Sequence, residues 1–259
     1  MKVMRHRFWI YIGVASAIAT VALSSARLAN AQSTMTVDSV IARNIAARGG
    51  LDRIRAVQSE RLNGQIRIGP GAQGPLVLEL KRPNHMRMEM TLVDKVILRG
   101  YDGRVGWSVN PFSKHPVPQV MSADDARNAA AEADIDGPLV DYAAKGNKIE
   151  LLGLDTLGVR TAYRLRVTMS NGDVDTYYVD SHSYLIIKWE GARMISGSPS
   201  QLESIFTNYK PVNGIMFPFR VTSYTKGESQ SQELVFETIS VNDELPDTRF
   251  AMPDSTAGK

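Results

Sequence analysis

Residues 62–68 read Leu-Asn-Gly-Gln-Ile-Arg-Ile, and residues 86–91 read Met-Arg-Met-Glu-Met-Thr. In both stretches apolar residues or glycine alternate with polar ones, which is the period of a strand with one buried face. The same alternation recurs over residues 76–80, 161–169 and 215–224. Because parallel sheets bury both faces, this pattern predicts an antiparallel sheet with one apolar and one wetted face.

Turn sequences divide the chain into short strands. Asp102-Gly103 and Asn171-Gly172 are typical of tight hairpins, because these residue types tolerate a positive φ. The alternating segments between such turns predict about eleven antiparallel strands. A single sheet of that size usually curls or closes.

Two stretches carry helical signals instead. Thr36 precedes apolar residues at helical spacing and Gly49-Gly50 follows them, which predicts a helix before the sheet. Ser122, followed by acidic residues, predicts the start of a helical insert over residues 122–145, with Pro138 in the first turn of its last short helix. These helices are expected to cover the apolar face, and large side chains or a pocket would fill the remaining space.

The first 31 residues have the order of a secretory signal peptide. Basic residues precede an uncharged apolar run from Phe8 to Leu23, and Ala29-Asn30-Ala31 provides a small-x-small cleavage site. The run has 16 residues, fewer than the roughly 20 that span a bilayer. We therefore expect cleavage after Ala31 and one domain over residues 32–259; an uncleaved anchor is the alternative.

Composition argues against several classes of function. The chain has 30 basic and 27 acidic residues, and four of the basic ones lie in the predicted signal, which leaves 26 against 27. The mature domain is therefore nearly neutral, unlike a typical nucleic-acid-binding protein. Because the chain has no cysteine, we expect a periplasmic product without a cysteine-linked lipid, a disulfide or a thiolate metal site.

No residue pattern predicts catalysis. His85, His115 and His182 lack metal-ligand spacing and a His-Glu-x-x-His segment. Residues 106–110 lack the final glycine of a nucleophile elbow. Residues 134–137 resemble the start of a calcium loop, but further carboxylates do not follow at the required spacing. The sequence therefore predicts a protein that is not an enzyme and needs no metal or cofactor.

An apolar ligand site is predicted on the inner face of the sheet. The alternating methionines 86, 88 and 90 are either ordinary core residues of a strand or part of an adaptable ligand lining, for which methionine is suited because it is unbranched and polarizable. Trp107 lies either at a cavity mouth or beneath the neighbouring proline-rich loop. The candidate lining residues are Met86, Met88, Met90, Leu98, Trp107, Leu165, Val167, Phe217 and Phe219.

Five segments occur in an order and spacing that point to one fold. They are Gly49–Val57, Gly100–Gly103 leading to Trp107, Tyr177–Asp180, Val212–Pro218 and Asn242–Pro253. In this arrangement the chain resembles the outer-membrane lipoprotein-sorting family, the LolA/LolB-like superfamily, over residues 36–253. The resemblance implies an unclosed β-barrel of about eleven strands with helices in its concave side. It also implies a periplasmic protein that holds acyl chains of lipoproteins or other lipids.

Two functions remain open at this point. The first is a monomeric carrier that sequesters acyl chains under a movable helical lid, without covalent chemistry. The second is an envelope-stress sensor or interaction module whose cavity is filled by its own side chains. In that case the outer sheet face or the loop 111–118 would contact a membrane-associated envelope protein. A continuous apolar cavity between sheet and helices would favour the carrier.

Overall fold

The alternating segments form one antiparallel sheet in the computed structural model, which describes residues 35–195 and 197–254. The predicted signal peptide lies outside these residues. Within them, the sheet has thirteen strands. The strands are β1 Ser59–Ile68, β2 Ala72–Lys81, β3 His85–Leu92, β4 Lys95–Tyr101, β5 Gly106–Val109, β6 Gln119–Val120, β7 Lys148–Leu157, β8 Arg160–Thr168, β9 Val174–Asp180, β10 Ile186–Ile195, β11 Ser198–Val212, β12 Ile215–Thr225 and β13 Ser231–Val241.

The sheet is open, as predicted. Its strand order is β6-β5-β4-β3-β2-β1-β13-β12-β11-β10-β9-β8-β7, so β6 and β7 are the two edges and the first strand pairs with the last. The expected count of about eleven was slightly low. Strand β6 has only two residues, which is too few for an alternation to show in the sequence.

Three helices accompany the sheet in the described chain: α1 Val37–Arg48, α2 Leu51–Ala56 and α3 Ala123–Glu132. Both predicted N-caps are present. The Thr36 side chain accepts a hydrogen bond from the Ser39 amide at 3.2 Å, and the Ser122 hydroxyl accepts one from the Asp125 amide at 3.1 Å. Of the described helices, none is long and apolar enough to span a membrane.

Gly49 ends α1 at a position that only glycine can occupy. Its φ is +126°, and a Cβ atom there would lie 2.3 Å from the carbonyl oxygen of Gly214. This close approach brings the end of α1 against the turn between β11 and β12. The glycine pair that signals the helix end in the sequence therefore also fixes the helix to the sheet.

The predicted short helix after Pro138 is wrong. Residues 134–147 form successive turns instead. Asp141 has a φ of +52°, which breaks a right-handed helix after its first residues. The segment is nevertheless held in place, because Leu139 and Val140 are almost completely buried.

The sheet bends around α3. This ten-residue helix contacts β3, β4 and β5, and it also contacts β10. Strands β3 and β10 are six positions apart in the sheet, which would separate them by roughly 29 Å if the sheet were flat. A helix is only about 10–12 Å wide. The sheet must therefore curve so that α3 lies on its concave side, which we call the inner face.

Candidate functional site

The inner face carries two groups of buried apolar side chains. The methionine cluster consists of the apolar residues of β1–β4, β12 and β13 that surround Met86 and Met88, packed against Ala129 of α3 and against Ala133, the C-cap residue of that helix. The α1 cluster joins helix α1 to the opposite half of the sheet. It is formed by Val40, Ile41, Leu139, Leu165, Val167 and Val179.

Five of the predicted lining residues meet in the methionine cluster. Met86 is fully buried and Met88 is 7% exposed, and Met90 packs against the same cluster. Phe217 and Phe219 reach it from β12. The alternation in the sequence thus identified both strands and the correct face of each, because every second side chain of a strand points the same way.

Leu165 and Val167 lie on the inner face but in the α1 cluster. Both are fully buried in that cluster. They share the covered side of the sheet with the methionines, beneath a different helix. The structure therefore divides the predicted lining between two regions.

Leu98 and Trp107 lie on the outer face, away from the methionines. Trp107 pairs with Gly100, and its indole occupies the space where a Cβ of that glycine would be. The indole Nε1 donates a hydrogen bond to the Phe250 carbonyl oxygen at 2.7 Å. Leu98 and Trp107 line a cleft of about 560 Å³ beneath the C-terminal segment 246–254. In the sequence, the apolar run 96–98 gave no alternation that would have assigned Leu98 to a face.

Helix α3 covers the methionine cluster with small side chains. Ala129 and Ala133 are fully buried against it. At the edge of the cluster, α3 approaches β5 so closely that a Cβ on Gly106 would lie 3.0 Å from the Cα and Cβ of Ala126. The helix therefore sits directly on the sheet, and its contact surface consists largely of alanine methyl groups.

Polar contacts hold α3 across the concave side. The Asn128 side-chain amide donates a hydrogen bond to the Met194 carbonyl oxygen of β10 at 2.9 Å. One turn further along the helix, Glu132 pairs with Arg99 of β4 at 3.5 Å. The helix thus bridges two separate parts of the curved sheet.

A group of buried charges joins the end of α1 to the segment after α3. Arg82 binds both carboxylate oxygens of Asp136, at 2.7 and 2.5 Å. Arg48 donates a hydrogen bond to the Asp136 carbonyl oxygen at 2.8 Å. Burial raises the pKa of the neighbouring Glu60 carboxyl to about 7, although Arg48 and Arg82 oppose the shift. The sequence gave no sign of this group, because its members are far apart in the chain.

Within the part of the chain that the structure describes, no group of three His, Cys, Asp or Glu side chains is placed to hold a metal ion. The ring of His85 packs against that of Phe250, with centroids 5.3 Å apart. The candidate site is therefore an apolar surface with a few charged side chains nearby.

No family model and no curated protein matches the chain. Solved structures do match it. A LolA superfamily protein from Nitrosomonas europaea has a TM-score of 0.54 and 17% identity, covering 84% of this chain and 98% of that one. A DUF1329 family protein from Desulfovibrio piger has a TM-score of 0.58 and 11% identity, with coverages of 84% and 98%.

A third structure, a domain from Vibrio parahaemolyticus named for outer membrane lipoprotein sorting, has a TM-score of 0.55 and 12% identity, covering 83% of this chain and 95% of that one. The chain therefore has a LolA-like fold, and the resemblance seen in the sequence is confirmed at the level of the fold. At sequence identities this low, structural similarity shows the fold alone. The function therefore has to be argued from the site.

Proposed function

We propose that residues 32–259 are a periplasmic carrier that holds an acyl chain, of a lipoprotein or another lipid, against the methionine cluster beneath α3. One observation carries this proposal. An apolar face that extends over six neighbouring strands, from β4 to β12, is covered by a helix that contacts it through alanines. The helix over it has only ten residues, whereas the face spans six strands.

The energies favour displacement of α3 by a ligand. Each buried methyl-sized group contributes about 0.8 kcal/mol, so the alanines at 126, 129 and 133 hold the helix with only about 2 kcal/mol of apolar burial. An acyl chain gains a similar amount for every methylene, which amounts to roughly 8 kcal/mol for ten of them. A bound chain therefore compensates for the lost contacts of α3.

In this structure the inner face beneath α3 is packed with its own side chains, so the continuous apolar cavity that would favour the carrier is not found among the clefts of the described residues. Two clefts of these residues are formed by other side chains. One, of about 140 Å³, lies between α3 and β10, and the other is the cleft beneath the C-terminal segment. Ligand entry therefore requires α3 to move, and a lock on this helix tests the proposal directly.

An engineered disulfide can fix α3 to the sheet without competing thiols, because the sequence contains no cysteine. In the double variant Gly106→Cys/Ala126→Cys the two Cβ atoms would lie about 3.0 Å apart, close to the 3.5–4.5 Å of a disulfide. We expect the oxidised variant to exclude a fluorescent fatty acid and the reduced variant to bind it, as measured by fluorescence titration.

Each single-cysteine variant serves as the control and should bind under both conditions. Equal binding by the oxidised and reduced double variant would overturn the proposed entry beneath α3. Mass spectrometry of lipids that co-purify with the wild type and with Met88→Glu/Phe217→Glu checks the same surface independently.

A second candidate function rests on the exposed loop 111–118. Phe112 is 53% exposed and Val117 is 44% exposed, so the loop presents apolar side chains that a protein partner would cover. Lys95 lies over the Phe112 ring, 5.2 Å from its centroid. If the chain is an envelope-stress sensor or interaction module, deletion of the loop should abolish partner capture. A carrier should retain fatty-acid binding after the same deletion.

A further inference from the structure

One cross-strand row of the inner face changes from apolar to polar along its length. Its members are successive pairing partners on neighbouring strands, so their side chains stand about 5 Å apart on one face. Apolar residues occupy the row as far as β3, a positive charge follows on β4, and small polar groups reach the sheet edge. The row is Ile239, Leu62, Leu78, Met88, Arg99, Ser108 and Gln119.

Arg99 is the charged member of this row and stands directly beside Met88. Its side chain is 29% exposed, and its carboxylate partner is Glu132 at 3.5 Å, which is itself 45% exposed. Glu132 belongs to α3, next to the buried Ala133. The anion that neutralises Arg99 is therefore carried by the helix that a ligand has to displace.

Displacement of α3 would leave Arg99 without its counter-ion beside an apolar surface. An isolated charge in such a place is costly unless another anion replaces the lost partner. A guanidinium donates hydrogen bonds to carboxylate oxygens as well as to phosphate oxygens, often two at a time. A ligand whose tail lies over Met88 and Leu78 would bring its head group to this position.

We propose that the ligand is an anionic amphiphile, and that its carboxylate or phosphate head pairs with Arg99 in the place that Glu132 occupies in the ligand-free protein. This inference rests on the proposed function and adds the class of head group to it. Glu132 then acts as a competing anion that closes the site when no ligand is present.

Other cations near the inner face are less suited to this role. Arg82 is bound to Asp136 through two hydrogen bonds, and Arg48 is tied to the Asp136 carbonyl oxygen. Lys210 lies at the β12 side of the methionine cluster, with its ammonium 4.6 Å from the centroid of the Phe219 ring. Because it contacts an aromatic ring, whereas Arg99 pairs with a carboxylate of α3, it is a suitable comparison for Arg99.

The test compares ligands that share a sixteen-carbon tail and differ in the head group. Palmitic acid, hexadecyl phosphate and hexadecanol would each displace a fluorescent fatty acid from the full mature chain. For Arg99→Gln we expect palmitate and hexadecyl phosphate to bind about 10-fold more weakly, as the loss of a charge-assisted pair requires. Hexadecanol should bind to this variant within about twofold of the wild type, because its head carries no charge.

Glu132→Gln and Lys210→Gln complete the experiment. Removing the competing anion in Glu132→Gln should tighten palmitate binding several-fold, whereas Lys210→Gln should leave it unchanged. Thermal unfolding of Arg99→Gln confirms that the fold is intact. Equal weakening of acid and alcohol by Arg99→Gln, no weakening of either, or a larger effect of Lys210→Gln would overturn the inference. Failure of the wild type to bind any of the three ligands would instead refute the proposed function.

Discussion

The two helices that cover the inner face are built differently. Helix α1 inserts the branched side chains of Val40 and Ile41 into the sheet, and its buried Asn44 donates a hydrogen bond to the Tyr184 carbonyl oxygen at 2.7 Å. Helix α3 presents alanines to the methionine cluster and is held by polar contacts to β10 and β4. Since large buried side chains are more costly to expose than alanines, we expect α1 to stay in the core and α3 to be the cover that a ligand displaces.

The largest expected effect comes from a variant that shortens a buried side chain of α1. Ile41→Ala should lower the free energy of unfolding by about 3 kcal/mol, because it removes three carbon atoms from a packed site. The corresponding change in α3, Ala129→Gly, should cost only about 2 kcal/mol, from the lower helix propensity of glycine and the loss of one buried methyl group. Urea unfolding of both variants measures the difference. Equal losses would show that α3 is as firmly integrated as α1.

A second prediction concerns Glu60, which lies among the charges that join the two regions. Its pKa is about 7 in the folded protein against an ordinary value of 4.5, so between these values the folded protein keeps a proton that the unfolded chain has lost. The contribution of Glu60 to stability therefore decreases as the pH rises from 4.5 to 7, by about 1–3 kcal/mol.

Glu60→Gln removes this dependence. We expect the variant to be more stable than the wild type at pH 8 and to approach it near pH 4.5, in urea unfolding series across that range. The difference between the two proteins isolates Glu60 from the carboxylates that respond in the opposite direction, such as Asp136, whose pKa the Arg82 guanidinium lowers. Parallel pH profiles for wild type and variant would contradict the prediction.

The smallest expected change in stability comes from removing the N-cap of either helix. Thr36→Ala and Ser122→Ala each remove a side-chain acceptor at a helix start, worth about 1 kcal/mol. At α1 this loss should appear in global unfolding. At α3 it should appear as faster hydrogen exchange of the helix amides, with little change in global stability, because the helix opens locally. If Ser122→Ala shifted only global unfolding, α3 would not be an independently opening element.

The sequence was most informative where strand alternation was regular. The residue pattern placed Met86 and Met88, as well as Phe217 and Phe219, on the buried face, and the structure brings all four together. The pattern failed at Leu98, because three consecutive apolar residues leave the face undecided until pairing with β3 fixes the register. It also failed after Pro138, where Asp141 has a positive φ that the residue pattern did not indicate.

By itself, the sequence determined the period, and hence an antiparallel sheet with one buried face and helices to cover it; that the sheet is open was implied by the family resemblance. It also carried the export signal proposed for residues 1–31. Only the tertiary structure decided that Leu98 and Trp107 face outward, that Arg99 meets Glu132, and that Glu60 is buried among distant charges. The physical reason is that alternation is a local property of a strand. Contacts between residues far apart in the chain depend on strand register and on the curvature of the sheet around α3.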